Sequence, residues 1–104
     1  MNVRILAAAQ DDLASGFRFY EIQAVGLGSY FINSLYSDID SLQFFGGIHP
    51  IVADGYHRLL SKRFPFAVYY LQEGDTIIVH AILDCRRNPA WNRKRLHMVK
   101  SKDT

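Results

Sequence analysis

Apolar and polar residues recur at helical spacing in two consecutive segments of the first half of the chain, residues 9–26 and 29–45. The apolar faces contain Leu13, Phe17, Tyr20 and Ala24 in the first segment and Phe31, Leu35, Ile39 and Leu42 in the second. Residues 26–29, "GLGS", combine glycine, which ends helices, with a serine that can cap the next one. The pattern predicts an antiparallel helical hairpin, preceded by a short strand at residues 2–6.

Beyond residue 56 the period changes, and β-branched and aromatic residues fill three segments, 57–64, 66–72 and 76–85. Residues 73–75, "EGD", are typical of a tight hairpin turn. Strict alternation in the last strand places Ile77, Val79, Ala81 and Leu83 on one face and Ile78, His80, Ile82 and Asp84 on the other. Both faces are largely apolar, which predicts a central strand. The expected fold is α+β: a short N-terminal strand, an antiparallel helical hairpin and a three-stranded antiparallel meander in one domain, residues 1–104.

Composition excludes several classes of protein. The chain has 104 residues, 49% of them hydrophobic, and no apolar run approaches the roughly 20 residues that span a bilayer. The N-terminus lacks the pattern of a signal peptide, and one cysteine forms no internal disulfide, so a cytoplasmic protein is expected. The four histidines and Cys85 have none of the usual zinc spacings, and Gly26–Gly28 is no dinucleotide fingerprint, so neither a metal nor a cofactor is predicted.

Charge is unevenly distributed along the chain. Residues 1–57 carry two basic and six acidic side chains, whereas residues 58–104 carry ten basic and four acidic ones. The stretch 84–95, "DCRRNPAWNRKR", holds five of these positive charges. This asymmetry predicts a basic face that meets nucleic acid or an acidic protein, and a plainly solvated surface is the alternative. Trp91 is interpreted either as a lid over the end of the sheet or as a stacking surface.

Two stretches of the sequence are similar to a known family. "RLLSKRFPFAVYYLQEGDTIIVHAILDCRRNPAW" and "FYEIQAVGLGSYFINSLYSDI" resemble the RelE/ParE superfamily of toxins from bacterial type II toxin–antitoxin modules, and the resemblance covers residues from about 5 to 95. It implies a growth-inhibiting toxin that is held inactive by a cognate antitoxin with an acidic, partly disordered segment. Operator DNA would be bound only through the antitoxin.

The resemblance leaves the cellular target open. ParE-like members inhibit DNA gyrase, whereas RelE-like members cut messenger RNA on the ribosome. A strand position that is arginine in RelE-type nucleases is Ala67 here, and no clear general acid or base follows "NPAW", so binding without catalysis is favoured. A nuclease would have to use Arg87 and Arg63 on the phosphate and His80 or His97 as proton carrier. A third interpretation is a degenerate toxin that serves only as antitoxin partner and co-repressor.

Two sets of contact residues are predicted. Arginine forks at the ends of strands are suited to phosphate or carboxylate groups, and apolar grooves beside the helical hairpin are suited to an amphipathic, acidic segment. The predicted target-binding residues are Lys62, Arg63, Arg86, Arg87, Trp91, Arg93 and Arg95. The predicted antitoxin-binding residues are Phe17, Tyr20, Phe31, Leu35 and Tyr69. For His80, a structural hydrogen bond inside the strand is favoured over a catalytic role.

Overall fold

The computed structural model describes the backbone of residues 1–103 and the side chains of residues 1–99. Its centre is a mixed four-stranded sheet with strand order β1-β4-β3-β2. The strands are β1 (Asn2–Ile5), β2 (His57–Leu60), β3 (Phe66–Glu73) and β4 (Thr76–Asp84). β1 runs parallel to β4, and the other neighbours are antiparallel. The α+β prediction is confirmed, and β4 is the buried, central strand that its two apolar faces predicted.

The predicted helical hairpin is formed by α1 (Ala7–Gln23) and α2 (Leu27–Asp40). Gly26 adopts a φ of 88° in the turn, a conformation that favours glycine. The Glu21 carboxylate accepts hydrogen bonds from the backbone N–H groups of Gly26 and Gly28, at 3.0–3.1 Å. An acidic side chain at the start of a helix also complements the helix dipole, so the sequence of the turn fixes how α2 begins.

The two helices approach most closely at Gly28. A Cβ atom at this position would lie 2.7 Å from the carbonyl oxygen of Phe17 and 2.9 Å from the Cβ of Glu21. We therefore expect Gly28→Ala to lower the free energy of unfolding by about 1–3 kcal/mol, because the steric cost exceeds the gain of about 1 kcal/mol in helix propensity. Urea denaturation checks this, with Ser29→Ala at the exposed neighbouring position as control. A Gly28→Ala variant as stable as the wild type would contradict the close packing of α1 on α2.

One face of the sheet packs against the hairpin. Its core is aromatic around Tyr20 and Phe31, whose rings contact those of Phe64 and Phe66 at centroid distances of 4.9–6.2 Å. The predicted apolar face of the second segment is confirmed, since Phe31, Leu35 and Ile39 of α2 are buried and so is Leu42, which follows the helix. α2 is followed by a short helix α3 (Leu42–Phe45) and, after a loop, by a 3₁₀ turn (Ala53–Gly55).

The opposite face of the sheet is covered by a C-terminal helix, α4 (Pro89–Asp103), which the sequence analysis did not predict. Leu96 is its main apolar contact, in a second core cluster with Tyr56, Ala67, Tyr69, Ala81 and Leu83. Asn88 caps the helix, since its Oδ1 accepts a hydrogen bond from the N–H of Ala90 at 2.8 Å. Asparagine followed by proline is a helix-start signal that the sequence carries. No helix of the described chain is long and apolar enough to cross a membrane.

The predicted strict alternation of faces in β4 is wrong beyond Val79. Tyr70 of β3 pairs with Val79 and Tyr69 pairs with Ala81, so that His80 has no place in the ladder and forms a bulge. Ile82 consequently joins the core under the helical hairpin, together with Ile77 and Val79, whereas Ala81 and Leu83 face α4. The end of β2 also differs from the prediction. The strand ends at Leu60, so Lys62 and Arg63 lie in the turn that follows it.

Candidate binding site: a basic pocket beneath the C-terminal helix

A pocket of about 310 Å³ lies between α4 and the sheet, at the end of β4. Three arginines from different parts of the chain converge on it: Arg58, Arg87 and Arg93. Its other walls are formed by Val52, Ala53, Tyr69, Cys85, Pro89, Asn92 and Leu96. Among the described side chains, no aspartate, glutamate or histidine lines the pocket. It is therefore a concentration of positive charge over a partly apolar floor.

Each of the three arginines is positioned by a different element. Arg58 lies on β2 directly opposite Tyr69 on β3. Arg87 lies in the turn after β4, with its guanidinium 4.1 Å from the centre of the Trp91 ring. This stacking fixes the plane of the guanidinium and leaves its N–H groups free at the edge. Arg93 projects from α4. The Asp84 carboxylate, which pairs with Arg86, also interacts electrostatically with Arg87.

The pocket's titratable side chains favour binding over proton transfer. Burial raises the pKa of the Tyr69 hydroxyl, although the hydrogen bond from Arg58 opposes the effect. Partial burial also raises the pKa of the Cys85 thiol, with Asp84 adding to the effect and Arg58 opposing it. Both groups therefore remain protonated at neutral pH. The pocket can stabilise negative charge, but its own lining offers no group that titrates near pH 7.

The remaining predicted target-binding cations lie elsewhere. Arg86 forms an ion pair with Asp84 at 2.8 Å, which holds the pKa of that carboxyl below its usual value. Arg95 points the other way along α4 and pairs with Asp12 of α1, also at 2.8 Å. Lys62 and Arg63 line a separate pocket of about 380 Å³ against α2, where the Arg63 Nη1 donates to the Tyr30 hydroxyl at 3.1 Å. The basic residues thus divide into four groups, namely the pocket arginines, Arg86 with Asp84, Arg95 with Asp12, and Lys62 with Arg63.

Comparison with known proteins bears on the fold. No family model and no curated protein matches the sequence. Among solved structures, a chain described as "Chromosomal ParDE TA system from P. aeruginosa" superposes on this one with a TM-score of 0.70, over 79% of this chain and 92% of that chain, at 20% identity. The chain has a ParE-like fold. This confirms the fold expected from the sequence resemblance, including the helical hairpin against the sheet.

Within the ParE-like fold, the four residues named for a nuclease do not come together. Arg87 lines the basic pocket, whereas Arg63 lies in the turn against α2. His80 is 1% exposed beneath Tyr56, whose hydroxyl lies 3.5 Å from its Nδ1. His97 is on the surface of α4, with its Nδ1 3.6 Å from the Asp54 carboxylate. Burial of His80 supports the structural interpretation of this residue.

Most of the residues named for antitoxin binding fill the two cores. Tyr20, Phe31 and Leu35 are at most 7% exposed under the hairpin, and Tyr69 belongs to the cluster beneath α4. Phe17 is half-buried. Side chains inside a core offer almost no surface to a partner, so the buried residues of this set leave little for an antitoxin to contact. The exposed apolar side chains near the hairpin turn are their neighbours Phe19, Ile22, Val25 and Tyr30.

Two residues of the pocket escaped the sequence analysis. Arg58 is a single base inside a short strand, and only the register of β2 on β3 places it beside Tyr69. Asn92 is 8% exposed, and its Nδ2 donates to the carbonyl oxygen of Asp84 at 3.2 Å. Because the stretch 84–95 holds six charged residues, a polar side chain such as Asn92 looks solvent-exposed from the sequence. Its spacing of four from Leu96 was the available signal, since residues i and i+4 share a helix face.

Outside the pocket, two histidines surround the buried Tyr70. The Tyr70 hydroxyl accepts a hydrogen bond from the N–H of Gly47 at 3.0 Å and is also hydrogen-bonded to the Nδ1 of His49. The His57 ring stacks on Tyr70 with a centroid distance of 5.0 Å, and its Nδ1 donates to the His49 carbonyl oxygen at 2.7 Å. Burial lowers the pKa of His49, and the nearby His57 lowers it further. The folded state therefore favours neutral His49.

This arrangement predicts a loss of stability in acid. A histidine pKa below the unfolded value of about 6.5 means that the contribution is complete above that pH and is lost as the pH falls through the folded pKa. We expect His49→Gln, which keeps an acceptor but does not titrate, to weaken the dependence of the unfolding free energy on pH between about 7.5 and 5. Urea denaturation across this range checks it, with the exposed His97→Gln as control. An unchanged dependence in His49→Gln would refute the linkage.

Proposed function

We propose that this protein is a growth-inhibiting toxin of a type II toxin–antitoxin module, neutralised by a cognate antitoxin, and that it acts by binding its target. The ParE-like fold supports the toxin assignment. The composition of the basic pocket supports binding, because three arginines converge there and no carboxylate or imidazole among the described residues lines it. This convergence is the observation on which the proposal rests.

DNA gyrase is the proposed target, on the basis of the sequence resemblance to ParE-like toxins. Arg58, Arg87 and Arg93 would form the contact with it. Planar guanidinium groups bind carboxylates and phosphates in a bidentate manner, and the stacking of Arg87 on Trp91 reduces the side-chain entropy that binding would remove. Gyrase bound to DNA offers both kinds of anion.

The antitoxin is proposed to bind along the helical hairpin. Phe19, Ile22 and Val25 are 52–98% exposed on α1 and the hairpin turn. Lys62 and Arg63 lie in the turn against α2. An amphipathic segment with acidic residues would match apolar and basic groups of this kind. Its affinity would fall with rising salt, and operator DNA would be bound by the antitoxin alone.

Two assays on the wild-type protein distinguish binding from catalysis. We expect micromolar protein to inhibit DNA supercoiling by purified gyrase, and primer extension on translated messages to show no new cuts. Codon-linked cuts that disappear in Arg87→Ala would instead establish a ribosome-dependent nuclease. The absence of gyrase inhibition would refute gyrase as the target, and the absence of growth arrest on expression without antitoxin would leave only the role of antitoxin partner and co-repressor.

A further inference from the structure

Three large apolar side chains are exposed close together in α3 and the loop that follows it. Phe44, Phe45 and Ile48 are 54–79% exposed to solvent. A single exposed apolar residue is common on a soluble protein, whereas a contiguous group of them usually marks a binding surface. This group is separate from the basic pocket and from the residues proposed to contact the antitoxin.

Negative charge borders these apolar residues. Asp40 lies one helical turn before Phe44 and on the same helix face, because the backbone stays helical through Ser41. Neither lysine nor arginine occurs in residues 19–57. The exposed apolar side chains of α3 therefore lie in an acidic segment, in contrast to the basic second half of the chain.

The turn between β3 and β4 adds two further acids beside α3. Met1 connects the two regions, since its ammonium group donates to the carbonyl oxygen of Gln43 at 3.1 Å and its sulfur accepts from the amide of Gln72 at 3.5 Å. Glu73 and Asp75 are exposed in the same turn. The α3 surface is defined as Asp40, Phe44, Phe45, Ile48, Glu73 and Asp75.

The turn of the helical hairpin carries apolar residues with the opposite charge. Phe19, Ile22 and Val25 are 52–98% exposed, and Arg18 lies one helical turn before Ile22 on the same face. The Glu21 carboxylate is engaged by backbone N–H groups of the turn, so the free charges here are positive. The hairpin-turn surface is defined as Arg18, Phe19, Ile22, Val25, Lys62 and Arg63.

The two surfaces lie at opposite ends of α2. This helix has 14 residues and is therefore about 21 Å long, with the hairpin turn before it and α3 after it. Two copies placed end to end would bring the acids of one surface to the bases of the other, with apolar groups on both sides of the contact. A two-fold contact of either surface with itself would instead bring like charges together. The acids also disfavour anionic partners of the α3 surface, such as nucleic acid or an anionic membrane.

We propose that this protein associates head to tail, with the α3 surface of one copy bound to the hairpin-turn surface of a second copy. Each surface offers only three exposed apolar side chains, so the contact belongs to the small interfaces below about 1,200 Å² and its dissociation constant should be of the order of 100 μM. Each complex leaves one surface of each kind free, so further copies can add. The inference goes beyond the proposed function. An antitoxin bound along the hairpin would block the association.

Sedimentation of the purified wild-type chain tests the association. We expect the average mass to rise between about 10 and 500 μM protein. The double variants Phe44→Ser, Ile48→Ser and Ile22→Ser, Val25→Ser should each stay monomeric and, because the replaced side chains are exposed, should unfold at temperatures close to that of the wild type. Leu60→Ser is the control, since Leu60 is exposed on β2 outside both surfaces and should leave association unchanged. A wild-type chain that is monomeric throughout would overturn the proposal.

A mixture of the two double variants distinguishes head-to-tail association from a symmetric dimer. Each variant keeps one intact surface, so the mixture should form a complex of one copy of each and grow no further. A mixture that stays monomeric would overturn the proposal. Association that survives in either double variant alone would also overturn it, because a two-fold contact needs only one of the surfaces.

The measurement uses the purified chain alone and therefore separates this proposal from the proposed function. A monomeric chain that arrests growth would refute only the association. An associating chain that leaves growth unaffected would refute only the assignment as a toxin.

Discussion

Replacement of Asp12 by alanine is expected to lower the free energy of unfolding by about 3 kcal/mol, the lower end of the range for breaking a buried ion pair. The Asp12 carboxylate accepts hydrogen bonds from Arg95 at 2.8 and 2.9 Å and from the backbone N–H of Ile82 at 2.9 Å. Both charged side chains are largely buried. The substitution would leave a cation and a strand N–H without their acceptor at the junction of α1, β4 and α4.

The pKa of Asp12 shows why removing both partners should cost less. Burial raises it above the ordinary value even though Arg95 opposes the effect. Desolvation therefore outweighs the attraction, and the pair is costly to break rather than strongly stabilising. We expect Asp12→Leu combined with Arg95→Met to recover most of the loss, as measured by urea denaturation followed through Trp91, the only tryptophan. A double variant as unstable as Asp12→Ala would contradict this explanation.

Removing the three pocket charges should abolish target inhibition without unfolding the protein. Each hydrogen bond that involves a charged group contributes about 1.5–3 kcal/mol. Inhibition of the target by the variant Arg58→Gln, Arg87→Gln, Arg93→Gln should therefore be weaker than that by the wild type by a factor of more than about 100. Because Arg58 is half-buried and hydrogen-bonds Tyr69, the variant should lose about 1.5–3 kcal/mol of stability and still fold.

The supercoiling assay measures the effect on inhibition, and thermal unfolding measures the effect on stability. Lys94→Gln is the matched control, because it removes a positive charge from an exposed position of α4 that does not line the pocket. Inhibition by the triple variant at the wild-type concentration would exclude the pocket as the contact surface. Equal loss in Lys94→Gln would show that only net charge matters.

The sequence predicts the first half of the molecule better than its C-terminal end. Phe31, Leu35 and Ile39 at helical spacing make α2 unambiguous, and all three are buried. Among its described side chains, α4 has a narrow buried stripe, Asn92, Leu96 and Val99, and half of the helix's other residues are charged. Such a helix is held by a cap, one ion pair and a few contacts, none of which produces a strong period. The helix start is marked in the sequence by Asn88 followed by Pro89, although the periodicity of apolar residues does not reveal the helix.

A local sequence pattern also fails to predict features that depend on how strands pair and how helices pack. The bulge at His80 reverses the faces of β4, and nothing in an alternating apolar run marks where a residue leaves the ladder. The basic residues show the same limit. Arg93 and Arg95 are two positions apart on a helix and therefore point in different directions, one toward the pocket and one toward Asp12. The sequence shows many cations here, but only the packing of α4 determines which of them line the pocket and which form ion pairs.

Growth after induction tests the central claim most directly. Wild-type protein expressed in a bacterial culture without antitoxin is predicted to arrest growth, while the variant lacking the charges of Arg58, Arg87 and Arg93 accumulates as folded protein and lets the culture grow normally. Normal growth with the wild-type protein would contradict the assignment as a toxin. Arrest by both proteins at equal levels would contradict action through the basic pocket.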